Sequence, residues 1–104
     1  MEGLIVKVIK SEGKAVIYLD EKIDIINSPE LKEKLQALYN EGIYVISVDF
    51  SITRMIDSSC LGKLLMFQKK LKERNGELKI INVTSDYIKK MFDMIHLDRV
   101  INIE

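Results

Sequence analysis

Asp57, Ser58, Ser59 and Cys60 stand side by side where an apolar run gives way to a helical pattern, and each carries a polar or nucleophilic group. Upstream, Tyr44 to Phe50 is mostly apolar and rich in Val and Ile; downstream, Leu61, Leu64, Leu65 and Leu71 return at helical spacing. The change of period predicts a strand end, a short loop and a helix start. Asp57, Ser58 or Ser59 caps that helix, because their side-chain oxygens accept from the free N–H groups of a first turn. The same N–H groups and the helix dipole favour an anion, so the backbone tolerates a phosphate on a serine here.

Catalysis by these residues lacks the partners it needs. A serine nucleophile requires a base, and the single histidine, His96, follows the third predicted helix as a helix-end residue. Ser58-Ser59-Cys60-Leu61-Gly62 also lacks the glycine two residues before the serine of a nucleophile elbow. Cys60 has no second cysteine and reads as a small packing residue, although a helix start can also lower a thiol pKa. One cysteine and one histidine far apart make a poor zinc site, and no glycine-rich loop with lysine is present. The expectation is a chain without enzymatic activity, metal or cofactor. Asp24, Asp49 and Asp57 fall at strand ends, which line one edge of an open α/β sheet, where the three can converge. Their competing role is in turns and caps.

The chain of 104 residues is expected to form one domain, residues 1–104, with a single core. Sixteen basic against sixteen acidic residues give no footprint for nucleic acid or an anionic membrane. Apolar runs stay short and Met1-Glu2-Gly3 lacks a basic leader start, so a cytoplasmic location is expected. Leu4–Ile9 and Ala15–Leu19 around the turn Ser11-Glu12-Gly13-Lys14 predict an antiparallel hairpin. Ser28-Pro29-Glu30 predicts an N-cap followed by helix one, with Leu31, Leu35 and Leu38 inward and Gly42 as its stop. Arg74-Asn75-Gly76 ends helix two, and Leu78–Val83 is a strand. Thr84 or Ser85 caps helix three, which buries Ile88, Met91, Phe92 and Ile95 before a last strand at Val100–Ile103. The order β-β-α-β-α-β-α-β implies a mixed sheet: an opening antiparallel hairpin, parallel central strands, and helices packed on it by right-handed crossovers. On helix two, Gly62 and Met66 point outward among Lys63, Lys69 and Lys70, which suits a protein-docking surface.

Over its whole length the chain resembles a STAS domain, and specifically the single-domain anti-sigma factor antagonists of bacteria. The resemblance is carried by Val48-Asp49-Phe50 and Ile56-Asp57-Ser58-Ser59-Cys60-Leu61-Gly62, with Ile23-Asp24 and Ile88-Lys89-Lys90-Met91-Phe92 as secondary matches. It implies a partner switch. The serine corresponding to Ser58 is phosphorylated by an anti-sigma factor that is itself a serine kinase, and a serine phosphatase resets it. The unphosphorylated form binds the anti-sigma factor and frees the sigma factor, with Asp24, Asp57, Ser59, Cys60, Gly62 and Met66 as the expected contact residues. Cys60 replaces the glycine usual in the pattern and is expected to stand beside the phosphosite, narrowing a kinase's approach. A small-molecule or nucleotide-sensing STAS module is the alternative.

Overall fold

The computed structural model describes residues 6–104, the Val6 side chain excepted. Met1-Glu2-Gly3, and Leu4 and Ile5 of the first expected strand, lie outside the described residues. Strands β1 (Val6–Ser11) and β2 (Lys14–Leu19) form the antiparallel hairpin, with Ser11 opposite Lys14 across the turn. Beyond it come β3 (Lys22–Ile23), helix α1 (Ser28–Asn40), β4 (Val45–Asp49), β5 (Met55–Ile56) and helix α2 (Ser58–Lys72). Then follow β6 (Glu77–Ile81), helix α3 (Asp86–Met94), a 3-10 turn at Leu97–Arg99 and β7 (Asn102–Ile103). The main sheet runs β1-β2-β4-β6-β7, parallel from β2 onward. This is the expected mixed sheet, with one addition: β3 and β5 pair in parallel as a separate two-stranded sheet.

Alternation along the strands decides where the core lies. Ala15, Ile46 and Leu78 share one row, Ile17, Val48 and Ile80 the next, and all six are buried. Their neighbours Tyr18, Ser47 and Lys79 point to the other face and retain exposure. The main sheet is therefore buried on one face, which period-2 side-chain placement makes possible without a second helical layer. Leu31, Leu35 and Leu38 of α1 are buried as their spacing demands, and α1 stops at a left-handed Gly42, with Ile43 N–H donating to Leu38 C=O (3.0 Å).

Three expectations are corrected. Leu65, which the helical spacing groups with Leu61, Leu64 and Leu71 as an inward residue, is exposed, because the buried stripe of α2 is Cys60, Leu64, Phe67 and Leu71. That stripe includes a phenylalanine whose ring fills more of the core than a second leucine, and it turns Leu65 outward. Ile95 is half exposed: α3 ends at Met94, so Ile95 lies beyond the regular helix, and Ile88 and Phe92 carry the contact. The Phe92 ring meets Phe50 edge to face at 5.7 Å. Val100 is likewise outside the last strand and exposed.

Candidate functional site

The small β3–β5 sheet builds the site. Its two rungs, Lys22 with Met55 and Ile23 with Ile56, deliver Asp24 and Asp57 side by side where the strands end, and Asp57 N–H donates to Ile23 C=O (3.2 Å). The loop leading to β5 is pinned from below by Thr53, fully buried, whose hydroxyl donates to Asp20 C=O (2.9 Å). Of the three candidate caps, Asp57 performs the role for α2. Its Oδ1 accepts from Ser59 N–H (3.0 Å), Cys60 N–H (3.3 Å) and Ser59 Oγ (2.5 Å). The Ser59 hydroxyl foremost holds the Asp57 carboxyl below the usual carboxylate range; burial opposes this, and the amides of Cys60, Ser59 and Ile25 reinforce it.

Capping by Asp57 leaves Ser58, the first residue of α2, exposed, and its hydroxyl makes no hydrogen bond among the described residues. Ser59 differs in every respect. It is half buried, donates to Asp57, and its Oγ lies 3.2 Å from the Oγ of Ser28. With the Ser59 proton committed to Asp57, Ser28 is the donor in that second bond. Ser28 was expected to cap α1; instead Asn27 precedes the helix and Ser28 is wholly buried, tying the start of α1 to the start of α2. The capping failure has a local cause, since Asn27 and Asp24 bond each other: Asp24 N–H donates to Asn27 Oδ1 (2.6 Å) and Asn27 N–H to Asp24 Oδ1 (3.2 Å).

Asp24 and Asp57 thus come together, and Asp49 does not join them. Asp49 ends β4 in the main sheet, is buried, and accepts from Asn82 Nδ2 (2.7 Å) and Ser51 N–H (2.8 Å). Burial penalises its charge, but the bonds from Ser51 and Asn82 outweigh that and lower its pKa. Ionised Asp49 therefore adds stability above the ordinary carboxylate pKa, and this is lost as pH falls through the lower folded value. Asp49→Ala is expected to lose about 1–3 kcal/mol at pH 7 by stranding both donors. The gap to the natural chain should shrink as pH falls below the ordinary carboxylate value toward the lowered folded one; urea unfolding at pH 7 and across a series of acid pH values checks this, and a gap independent of pH counts against it.

Cys60 corrects another expectation. Its side chain is buried and points into the core, so it neither narrows the approach to Ser58 nor offers a partner any side-chain surface. Burial, assisted by the nearby Asp57 charge, pushes the thiol up to about 12, and it stays protonated at neutral pH. Ser58, Gly62, Leu65 and Met66 recur at spacings of four, seven and eight and share the outer stripe of α2. Met66 is 42 % exposed. A Cβ on Gly62 would meet nothing within 4 Å, so the fold does not require glycine there. Gly62→Ala should raise stability by about 0.5–1 kcal/mol, seen as a rise in Tm of a few degrees. No rise in Tm would contradict the open space around it.

Sequence reasoning missed Ile25 and Ile26, which follow Asp24 and stand 73 % and 85 % exposed. They fit neither a strand nor a helix period, and two adjacent aliphatic residues off every period were the available signal. A cleft of about 750 Å³ lies away from Ser58, lined by Asp20, Glu21, Ser51, Arg54, Thr84 and Tyr87 among others. Arg54 there reaches Glu21 at 4.0 Å, and with Asp20 and Asp86 also on the wall the charge balance disfavours a phosphate group.

The STAS domain family profile matches residues 6–104. An anti-sigma-B factor antagonist from Listeria monocytogenes is 30 % identical over 89 residues, spanning 85 % of this chain and 76 % of that protein. Among solved structures, an anti-sigma factor antagonist from Mycobacterium paratuberculosis superposes with a TM-score of 0.78 at 19 % identity, covering 94 % of this chain and 82 % of that one. The phosphorylated form of the Bacillus cell fate determinant SpoIIAA gives 0.75 at 19 % identity, covering 95 % and 90 %. Together with the strand order and the Asp-Ser-Ser start of α2, the profile match over residues 6–104 places this chain in the STAS domain family.

Proposed function

We propose that the chain is an anti-sigma factor antagonist whose binding is controlled by phosphorylation of Ser58. The carrying observation is the division of labour at the start of α2: Asp57 caps the helix and the Ser58 hydroxyl is left exposed. The name of the Listeria relative supports the antagonist role. Unmodified, the chain docks on an anti-sigma factor that is a serine kinase and frees the sigma factor, working in the cytoplasm where ATP is available. In the modifying step the Ser58 hydroxyl gives its proton to a base of the kinase. Its oxygen bonds the γ-phosphorus of ATP, and the bond from that phosphorus to the bridging oxygen breaks to leave ADP. The chain contributes the acceptor and no catalytic group or cofactor. A serine phosphatase hydrolyses the phosphoserine and restores binding. Asp24, Asp57, Ser59, Gly62 and Met66 surround Ser58 on the contact face.

The test is incubation with Mg-ATP and the anti-sigma serine kinases of the source organism, followed by mass mapping. One phosphate on Ser58, absent from Ser58→Ala, is expected. Complex formation with phosphate on another residue, or on none, defeats the phosphorylation control.

A further inference from the structure

We propose that Ile25 and Ile26 are an apolar anchor that seats in a pocket on the serine kinase acting on Ser58, a pocket flanked by basic side chains. The proposal rests on Ser58 being the phosphosite and identifies what holds the kinase there. Two adjacent isoleucines at 73 % and 85 % exposure oppose the tendency of such side chains to be buried, and nothing in the fold needs them outside. Nor are they held loosely. Asp24 Oδ1 accepts from Ile26 N–H (2.9 Å) and Asn27 N–H (3.2 Å), Asn27 Oδ1 accepts from Asp24 N–H (2.6 Å), and Asn27 Nδ2 donates to Lys22 C=O (2.8 Å). Four hydrogen bonds thus fix a short loop whose two apolar side chains stand in solvent. A presentation ordered in advance lowers the entropy lost on docking, which is the property of an interface anchor rather than of a spacer.

Position selects the occupant. The Ile23–Ile56 rung and the bond from Asp57 N–H to Ile23 C=O (3.2 Å) set the loop that begins at Asp24 beside Asp57, the residue before Ser58, so whatever reaches the Ser58 hydroxyl also meets the isoleucines. Charge selects its chemistry. Asp57 has no cation within ion-pair distance among the described residues, and Asp24 has only Lys22, at 3.7 Å. A partner covering Ile25 and Ile26 must cover these two carboxylates as well, and it gains by placing Lys or Arg against them. Anchor and acceptor then divide the work: the isoleucines bind equally before and during phosphoryl transfer, and Ser58 alone reacts.

The experiment compares the natural chain, Ile26→Ser and Ile25→Ser/Ile26→Ser, using the source organism's anti-sigma serine kinase with ADP for binding and Mg-ATP for turnover. The double variant should raise Kd about 100-fold and Ile26→Ser about tenfold. In turnover it should raise KM for the protein substrate about as much and leave kcat within about twofold, the pattern of lost uniform binding. Tm should stay within a few degrees, since both side chains are already in solvent. A complex of undiminished affinity overturns the anchor and leaves the antagonist reading standing. Absence of any complex with the natural, unmodified chain overturns both. Concentration-dependent self-association that the double variant abolishes, with kinase affinity unchanged, assigns the isoleucines to a second copy and also overturns the proposal.

Discussion

Replacing Gly76 with alanine is expected to lower the unfolding free energy by about 3 kcal/mol or more, the largest glycine-to-alanine effect among the described residues. An ideal Cβ on Gly76 would stand 2.6 Å from Tyr44 Cβ and 2.7 Å from the Tyr44 carbonyl carbon, with the carbonyl oxygen closer still. None of these atoms can move away cheaply. Glu77 N–H donates to that carbonyl (2.8 Å) at the start of the β4–β6 pairing, and Gly76 N–H donates to Leu71 C=O (2.7 Å) to close α2. The Tyr44 ring is held on both sides, edge to face against Tyr39 at 5.3 Å and under the Arg74 guanidinium at 5.7 Å. Relief therefore has to come from separating helix end and strand start, which breaks backbone hydrogen bonds in a buried place. Urea unfolding of Gly76→Ala beside Gly62→Ala gives opposite signs for the same substitution. A loss under about 1 kcal/mol at Gly76 would show that the junction yields more easily than its bonding implies.

Gly76 also illustrates what can and cannot be read before folding. Arg74-Asn75-Gly76 marks the end of α2 in any reading, and glycine is the natural choice for the left-handed residue. In the structure Asn75 takes that conformation (φ 61°), and Gly76 is needed because another strand's backbone lies against it. The requirement comes from Tyr44, more than thirty residues earlier, and leaves no local trace. The same division runs through the site. Asp57 before a helical pattern is a local signal, and local capping chemistry makes it the cap. Ser28 carried an equally strong cap signal, and lost to the Asp24–Asn27 bonds and to a hydroxyl contact with Ser59 thirty-one residues away. The long strands and all three helices were legible because each repeats its period over several residues. The β3–β5 pair was not, because two residues per strand contain no period, although that pair is what sets Asp24 beside Asp57. On α2, the leucines at 61, 64, 65 and 71 outnumber one phenylalanine, and only packing shows that Phe67 and Cys60 set the helix rotation. That rotation is what carries Ser58, Gly62 and Met66 to the outside together.

Ser58→Asp is expected to weaken binding to the anti-sigma kinase about 100-fold, or about 2.7 kcal/mol, while shifting the fold's stability by less than about 0.5 kcal/mol. The two halves have separate causes. Within the chain, the added carboxylate sits at the first residue of α2, where the dipole favours it, and the nearest acid, Asp57, keeps its bonds to Ser59 and Cys60. Repulsion between residues 57 and 58 offsets part of that gain, leaving little net change. Across the interface the balance is different. A kinase site facing Ser58 holds nucleotide phosphates and a proton-accepting base, both anionic, at the one point where the unmodified chain presents a neutral hydroxyl. Asp57, held ionised by Ser59, already supplies one negative charge beside that point, so the substitution creates a doubly charged edge where the partner is fitted to a single charge. Phosphoserine, with nearly two charges, should weaken binding further than aspartate. Ser58→Ala should bind like the natural chain, and raising salt to about 0.5 M should narrow the gap between alanine and aspartate variants by screening the exposed part of the repulsion. Titration calorimetry of the three proteins against one kinase, with thermal unfolding in parallel, measures both halves. Equal affinity of the aspartate and alanine variants would mean that charge at position 58 does not govern release.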